Sequence, residues 1–308
     1  MRWVVRAVAA LGVAVVGWCL ATGWSAVVHG HPLYAALLLA TLAGCVVAVV
    51  ASLRPPRPRR TWVRILGIVL TILAVGWIAL MAWLRPFAAT EPALSAMVSD
   101  ATATVQESAT QIVLTPTGDV RPAGILFQPG AKVDARAYAA VLRPLAEAGY
   151  PVVIPKQPLG IAFLSTGAFE SAQAAHPEIA EWIVGGHSLG GTVAAIDAEA
   201  HDTDAVAPVT GLMLYASYPA SDMSATLASA VISISGSEDA LATPADIEAS
   251  RADLPPDASF VVLDGAVHAF FGDYGPQPGD GTPTITHDEA RALISDASLA
   301  FVATDRVS

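Results

Sequence analysis

Gly186-His187-Ser188-Leu189-Gly190, followed by Gly191, places a serine between two glycines at the spacing of a tight strand-to-helix turn. The flanks fit that reading. Residues 182–185 form an apolar run, and an alanine-rich stretch covers about 189–200. Such a turn forces strained backbone on the serine, and the glycines make room where helix crosses strand. The hydroxyl is then exposed at a helix N-terminus, where the dipole favours developing negative charge. The chemistry on offer is nucleophilic attack by oxygen, provided a base removes the proton.

That base and its supporting acid are expected from strand ends later in the chain. Downstream of Ser188 stand His201, His268 and His287. His268 follows the apolar strand 259–263 in a loop, the position a sheet-end base requires. His201 closes the helix after Ser188, and His287 begins the last helix as a surface residue. His187 adjoins the serine, but adjacent side chains at such a turn point apart. For the acid, the strand 230–235 runs into Gly236-Ser237-Glu238-Asp239, so Asp239 lies just past a strand end, with Glu238 and Asp264 as competitors. A carboxylate there would orient the imidazole and stabilise its charged form. An oxyanion needs two backbone N–H donors. Leu189 supplies one, and the loop 129–132 supplies the other through Ala131 or, alternatively, Gly130.

The elements that must position these groups alternate. Strands are expected at 101–107, 111–116, 123–128, 151–155, 182–185, 211–216, 230–235 and 259–263. Helices are expected at 135–148, 189–200, 244–252 and 286–302, while 158–182 shows no clear pattern. The alternation predicts an α/β fold with a mostly parallel sheet covered by helices on both faces.

The first third of the chain obeys a different solvent. Residues 7–28, 33–53 and 65–84 contain no charged side chain, and each is long enough to cross a bilayer. Trp3, Trp24, Tyr34, Trp62 and Trp83 sit near their ends, where amphipathic rings suit the interface. No acid precedes Glu91, so the first part carries +8 and the remainder, with 8 basic and 27 acidic residues, carries −19. An acidic domain repels polyanions, which excludes nucleic acid as a partner. Arg2 and Arg6 precede the first span, Arg54, Arg57, Arg59, Arg60 and Arg64 lie between the second and third, and the first loop has no Lys or Arg. The positive-inside rule then places the N-terminus in the cytoplasm and everything after Leu84 outside. The expected organisation is a membrane region at 1–86, a connector at 87–100 and a catalytic domain at 101–308. Both cysteines, Cys19 and Cys45, lie in the spans. His29 and His31 lack further ligands, so neither a metal nor a cofactor is expected.

Together, ILFQPGAKVDARAY, VVIPKQPLGIAFL, GGHSLGG, ISGSEDALATP and GAVHAFFGDYGPQPGDGTPTIT resemble the compact, lidless alpha/beta hydrolases related to dienelactone hydrolases, over about residues 97–303. The resemblance implies an alpha/beta-hydrolase fold in which Ser188, Asp239 and His268 match the catalytic positions. Ala131 departs from the second glycine common in such proteins, and Ala266-Val267 from Gly-Asn. Dienelactone hydrolase itself uses a cysteine nucleophile. The expected activity is hydrolysis of a small-molecule or lipid-like carboxylic ester through an acyl-enzyme. Acyl transfer to a cell-envelope alcohol and a silent, membrane-tethered binding domain are the alternatives.

Overall fold

The computed structural model describes residues 2–54 and 61–304. The chain divides at Pro86/Phe87 into two compact units.

The first unit is three helices: α1 (Arg2–His29), α2 (Pro32–Leu53) and α3 (Thr61–Trp83). Each is long and apolar enough to cross a membrane. Their side chains explain how they pack. A Cβ at Gly12 would meet Cys45 Sγ at 2.5 Å, so glycine there lets α1 and α2 approach closely. The few polar groups between the helices are bonded: Tyr34 Oη donates to the Met81 carbonyl at 2.7 Å and Trp77 Nε1 to Thr41 Oγ1 at 2.8 Å. Unbonded, such groups would be costly in an apolar medium. Large apolar side chains such as Leu39, Val47, Ile72 and Leu73 face outward. Arg57, Arg59 and Arg60, which weigh in the orientation argument, lie outside the described residues.

The second unit is built on one eight-stranded sheet: β1 (Ala103–Glu107), β2 (Gln111–Pro116), β3 (Ala123–Gln128), β4 (Val152–Pro155), β5 (Glu181–His187), β6 (Val209–Tyr215), β7 (Ala230–Gly236) and β8 (Ser259–Leu263). The spatial order is β1-β2-β4-β3-β5-β6-β7-β8. β2 pairs antiparallel with β1 and β4, and every other pairing is parallel. The remaining helices are α4 (Ala93–Ala96), α5 (Ala139–Glu147), α6 (Ala168–Ala175), α7 (Leu189–His201), α8 (Pro244–Ala249) and α9 (His287–Val302).

Central strands are apolar on both sides because both faces are covered. Ile125, Phe127, Met213 and Tyr215 point into a core with Leu142 and Leu145 of α5 and Ile294 and Val302 of α9. Leu126, Val184, Leu212 and Leu214 point the other way, against Phe169 of α6 and Ala194, Ala195 and Ala198 of α7. The strand period of two thus sorts one sequence into two cores.

Two stretches hold more structure than their sequence suggests. Residues 87–100 are packed: Phe87 bridges to Val133, Ala93 is fully buried and Leu94 and Met97 rest on the α5 core. Within 158–182, α6 forms because Phe169 and Ala172, three apart, both reach the second core.

Candidate active site

β5 and α7 meet at Ser188, whose backbone sits at φ 53°, ψ −126°. Few non-glycine residues adopt such a conformation, and holding it costs about 1–3 kcal/mol. The surroundings fix it. Ser188 N–H donates to the Tyr215 carbonyl at 2.9 Å, and the Ser188 carbonyl accepts from Ser217 Oγ at 2.6 Å and Gly191 N–H at 2.9 Å. Any Cβ at Gly186 would strike the Gly190 carbonyl, and one at Gly190 would strike the carbonyls of Gln128 and Pro129. The G-x-S-x-G spacing therefore follows from two backbone crossings with no room for side chains. The Ser188 hydroxyl makes no hydrogen bond among the described residues.

β7 delivers Asp239 and the loop after β8 delivers His268. Asp239 Oδ2 accepts from His268 Nδ1 at 2.8 Å, and both side chains are buried. Asp239 Oδ1 accepts the N–H groups of Leu241 and Ala242, each at 2.8 Å. The carboxylate thus meets three donors. The competitors for this place stand elsewhere: Glu238 is exposed, and exposed Asp264 accepts from Ser237 Oγ at 3.2 Å. No hydrogen bond joins His268 to Ser188 among the described residues. The His268 ring lies 4.5 Å, centroid to centroid, from the ring of His187, the residue before Ser188.

A further carboxylate steadies the histidine loop. Asp280 accepts the N–H groups of His268 at 3.2 Å, Ala269 at 2.8 Å and Gly281 at 2.7 Å. It caps the short helix His268–Phe271 from twelve residues downstream. Sequence spacing gave no hint of it, because its partners are N–H groups that every residue has.

The loop after β3 has its backbone N–H groups accounted for one by one. Gly130 N–H donates to Tyr138 Oη at 2.8 Å, Lys132 N–H to the Gly160 carbonyl at 2.6 Å and Val133 N–H to the Gly130 carbonyl at 3.1 Å. Ala131 N–H alone in this run has no partner among the described residues. At the helix side, Leu189 N–H, which precedes the first intrahelical bond of α7, is likewise unbonded among the described residues. Of the two candidates in the loop, Gly130 is engaged and Ala131 is free.

The remaining histidines have other tasks. His201 pairs with Asp204 at 2.8 Å and packs on Phe169. His287 is half-buried, stacked on Phe270 and 3.4 Å from Asp273, not a plain surface residue. His187 is fully buried. Burial, and then the His268 ring, hold its pKa well below that of an ordinary imidazole, against a smaller opposing contribution from the His268 backbone. It is therefore neutral at pH 7.

Behind the turn, Asp197 of α7 is buried and accepts from Gln128 Nε2 at 3.3 Å. Burial pushes its carboxyl up to about 7; Glu170 adds to this, while the Gln128 bond and His201 oppose it. The folded chain thus holds this proton more tightly than the unfolded chain. Stability falls as pH rises through the interval from the ordinary carboxyl value to about 7. Asp197→Asn keeps an acceptor for Gln128 and removes the buried charge. Its melting temperature should exceed wild type by on the order of 5 °C at pH 8, and the difference should shrink as pH falls and vanish below the ordinary carboxyl value. A uniform change across that range would refute the assignment.

Comparison with known proteins agrees with this architecture. The profile described as Alpha/beta hydrolase family matches residues 124–292. Among solved structures, a putative dienelactone hydrolase from Klebsiella pneumoniae is 17% identical with a TM-score of 0.50, covering 66% of this chain and 98% of its own. A predicted CIB-like hydrolase from Thermoplasma acidophilum is 14% identical with a TM-score of 0.49, covering 64% and 98%. The thermophilic esterase Est2 of Thermogutta terrifontis is 15% identical with a TM-score of 0.44, covering 65% and 92%. No curated protein sequence matches the chain. The family match spans more than half of the 308 residues, and it covers the serine turn, Asp239 and His268: the chain belongs to the alpha/beta hydrolase family.

Proposed function

We propose that the protein is a membrane-anchored serine esterase. The observation that carries this reading is the buried 2.8 Å bond between His268 Nδ1 and Asp239 Oδ2, beside a serine held in strained backbone. Ser188 Oγ attacks the ester carbonyl carbon while its proton passes to His268 Nε2. The N–H groups of Leu189 and Ala131 take the oxyanion. Collapse of the tetrahedral adduct expels the alcohol, which leaves with the proton from His268. Water, deprotonated by the same nitrogen, then attacks the acyl-enzyme, and the carboxylic acid departs as Ser188 regains its proton. Asp239 keeps Nδ1 protonated and offsets the charge on the imidazolium. The chemistry requires neither metal nor cofactor.

Apolar side chains exposed on segments that adjoin the site elements favour an apolar acyl group. Phe163, Leu164, Tyr218 and Leu241 are exposed. Tyr218 follows Ser217, which bonds the Ser188 carbonyl; Leu241 N–H bonds Asp239; and the short helix Ala162–Leu164 packs near α7. A lipid-like ester suits such apolar neighbours better than a charged one. The reading is tested by offering the purified full chain a fluorophosphonate probe and p-nitrophenyl esters of increasing chain length. Absence of both labelling and turnover would exclude it.

The arginine distribution supports a cytoplasmic N-terminus and an extracytoplasmic hydrolase unit. Both native cysteines are buried in the helical unit, so a cysteine introduced at exposed Val206 is a clean reporter. A membrane-impermeant maleimide should label Val206→Cys in intact cells. Labelling only after lysis would reverse the topology.

A further inference from the structure

A buried relay connects the residue beside the nucleophile to the loop that offers Ala131. Gly130 N–H donates to Tyr138 Oη at 2.8 Å, and Tyr138 Oη lies 2.8 Å from His187 Nδ1. Chemistry fixes the direction of the first bond, and the tautomer of His187 sets that of the second. Gly130 can only donate, so the phenol oxygen accepts from it. Burial pushes the Tyr138 phenol far above its usual range, so it keeps its proton. His187 is neutral, and in the tautomer with Nδ1 bare that atom accepts the phenol proton. Among the described residues the ring's Nε2 has no hydrogen-bond partner of good geometry, so Tyr138 is the firm polar anchor of the ring there.

The relay has a geometric consequence. In the trans peptide joining Gly130 to Ala131, the Gly130 carbonyl and the Ala131 N–H point in opposite directions. The carbonyl is held by Val133 N–H at 3.1 Å, and the Gly130 end of the unit is held through its own N–H by Tyr138. With both grips in place, Ala131 N–H has one direction left, away from the bonded side. The space is closed as well: a Cβ at Gly130 would lie 2.6 Å from His187 Nδ1 and 3.1 Å from Tyr138 Oη. His187 is itself wedged between the His268 ring at 4.5 Å and Phe271 at 5.9 Å.

We infer that His187 and Tyr138 are positioning residues that aim the Ala131 N–H at the oxyanion. The inference rests on the esterase reading of Ser188. It gives the first variable position of G-x-S-x-G a task in this protein: the residue preceding the nucleophile sets the donor across the site. A misplaced donor loses the charge that appears in the transition state and little of substrate binding. The signature is therefore a fall in kcat without a matching rise in KM.

Three variants of the full chain test this with p-nitrophenyl butyrate: Tyr138→Phe, His187→Leu and His187→Asn. Tyr138→Phe and His187→Leu should lower kcat by about 10²-fold, with KM within about twofold. Asparagine places an amide oxygen near the position of Nδ1, so His187→Asn should recover kcat to within about fivefold of wild type. Tyr138→Phe removes one hydroxyl and keeps the ring, so it reports even where His187→Leu fails to fold. The inference falls if Tyr138→Phe keeps kcat within threefold, if the loss appears in KM, or if His187→Asn is no better than His187→Leu. Failure of the underlying reading looks different, because wild type would then neutralise neither probe nor ester.

Discussion

Replacing Ser188 with alanine should abolish fluorophosphonate labelling and lower p-nitrophenyl ester turnover by about 10⁴–10⁶-fold, while leaving the fold intact. The size follows from losing the only atom proposed to form the acyl bond; what survives is catalysis by positioning and by the oxyanion donors alone. The stability of the variant follows from the site's geometry. Ser188 Oγ makes no hydrogen bond among the described residues, so its removal orphans no partner there. The strained φ of 53° is imposed by bonds to the Ser188 backbone N–H and carbonyl, which alanine retains. Circular dichroism and the melting temperature should therefore match wild type. Turnover retained above about 1% would remove Ser188 from the mechanism.

The second large effect is expected at Asp239. In Asp239→Asn the amide oxygen would keep the N–H groups of Leu241 and Ala242, which both converge on Oδ1. The amide nitrogen would then face His268 Nδ1, where the carboxylate oxygen stood at 2.8 Å. Two donors cannot share one bond, so the ring must present Nδ1 as an acceptor and move its proton to Nε2. In the proposed mechanism Nε2 receives the serine proton. kcat should fall by about 10⁴-fold at neutral pH, with substrate binding little changed. Glu238→Gln is the control, since that side chain is exposed and outside the bonded set. Turnover of Asp239→Asn within tenfold of wild type, or an equal loss in Glu238→Gln, would overturn the assignment of the acid.

The serine turn was legible in the sequence because its constraint is local: five residues contain both the strain and the glycines that relieve it. The three apolar helices were legible for a similar reason, since about 20 uncharged residues in a row have few other uses. Alternating apolar runs likewise announced the parallel sheet, and chain order pointed to Asp239 and His268, which the fold joins by a hydrogen bond.

Other features depend on partners far apart in the chain, which no window of sequence contains. Whether Gly130 or Ala131 offers a free N–H turned on a tyrosine eight residues away and a histidine forty-nine residues from that tyrosine. The Asp280 clamp binds backbone donors, so its target leaves no mark in residue types. Residues 87–100 read as a polar connector, but Ala89 and Ala93 are buried by a core assembled from other segments. Periodicity and turn chemistry are properties of neighbours along the chain. Hydrogen-bond saturation is a property of neighbours in space, and only the tertiary structure decides it.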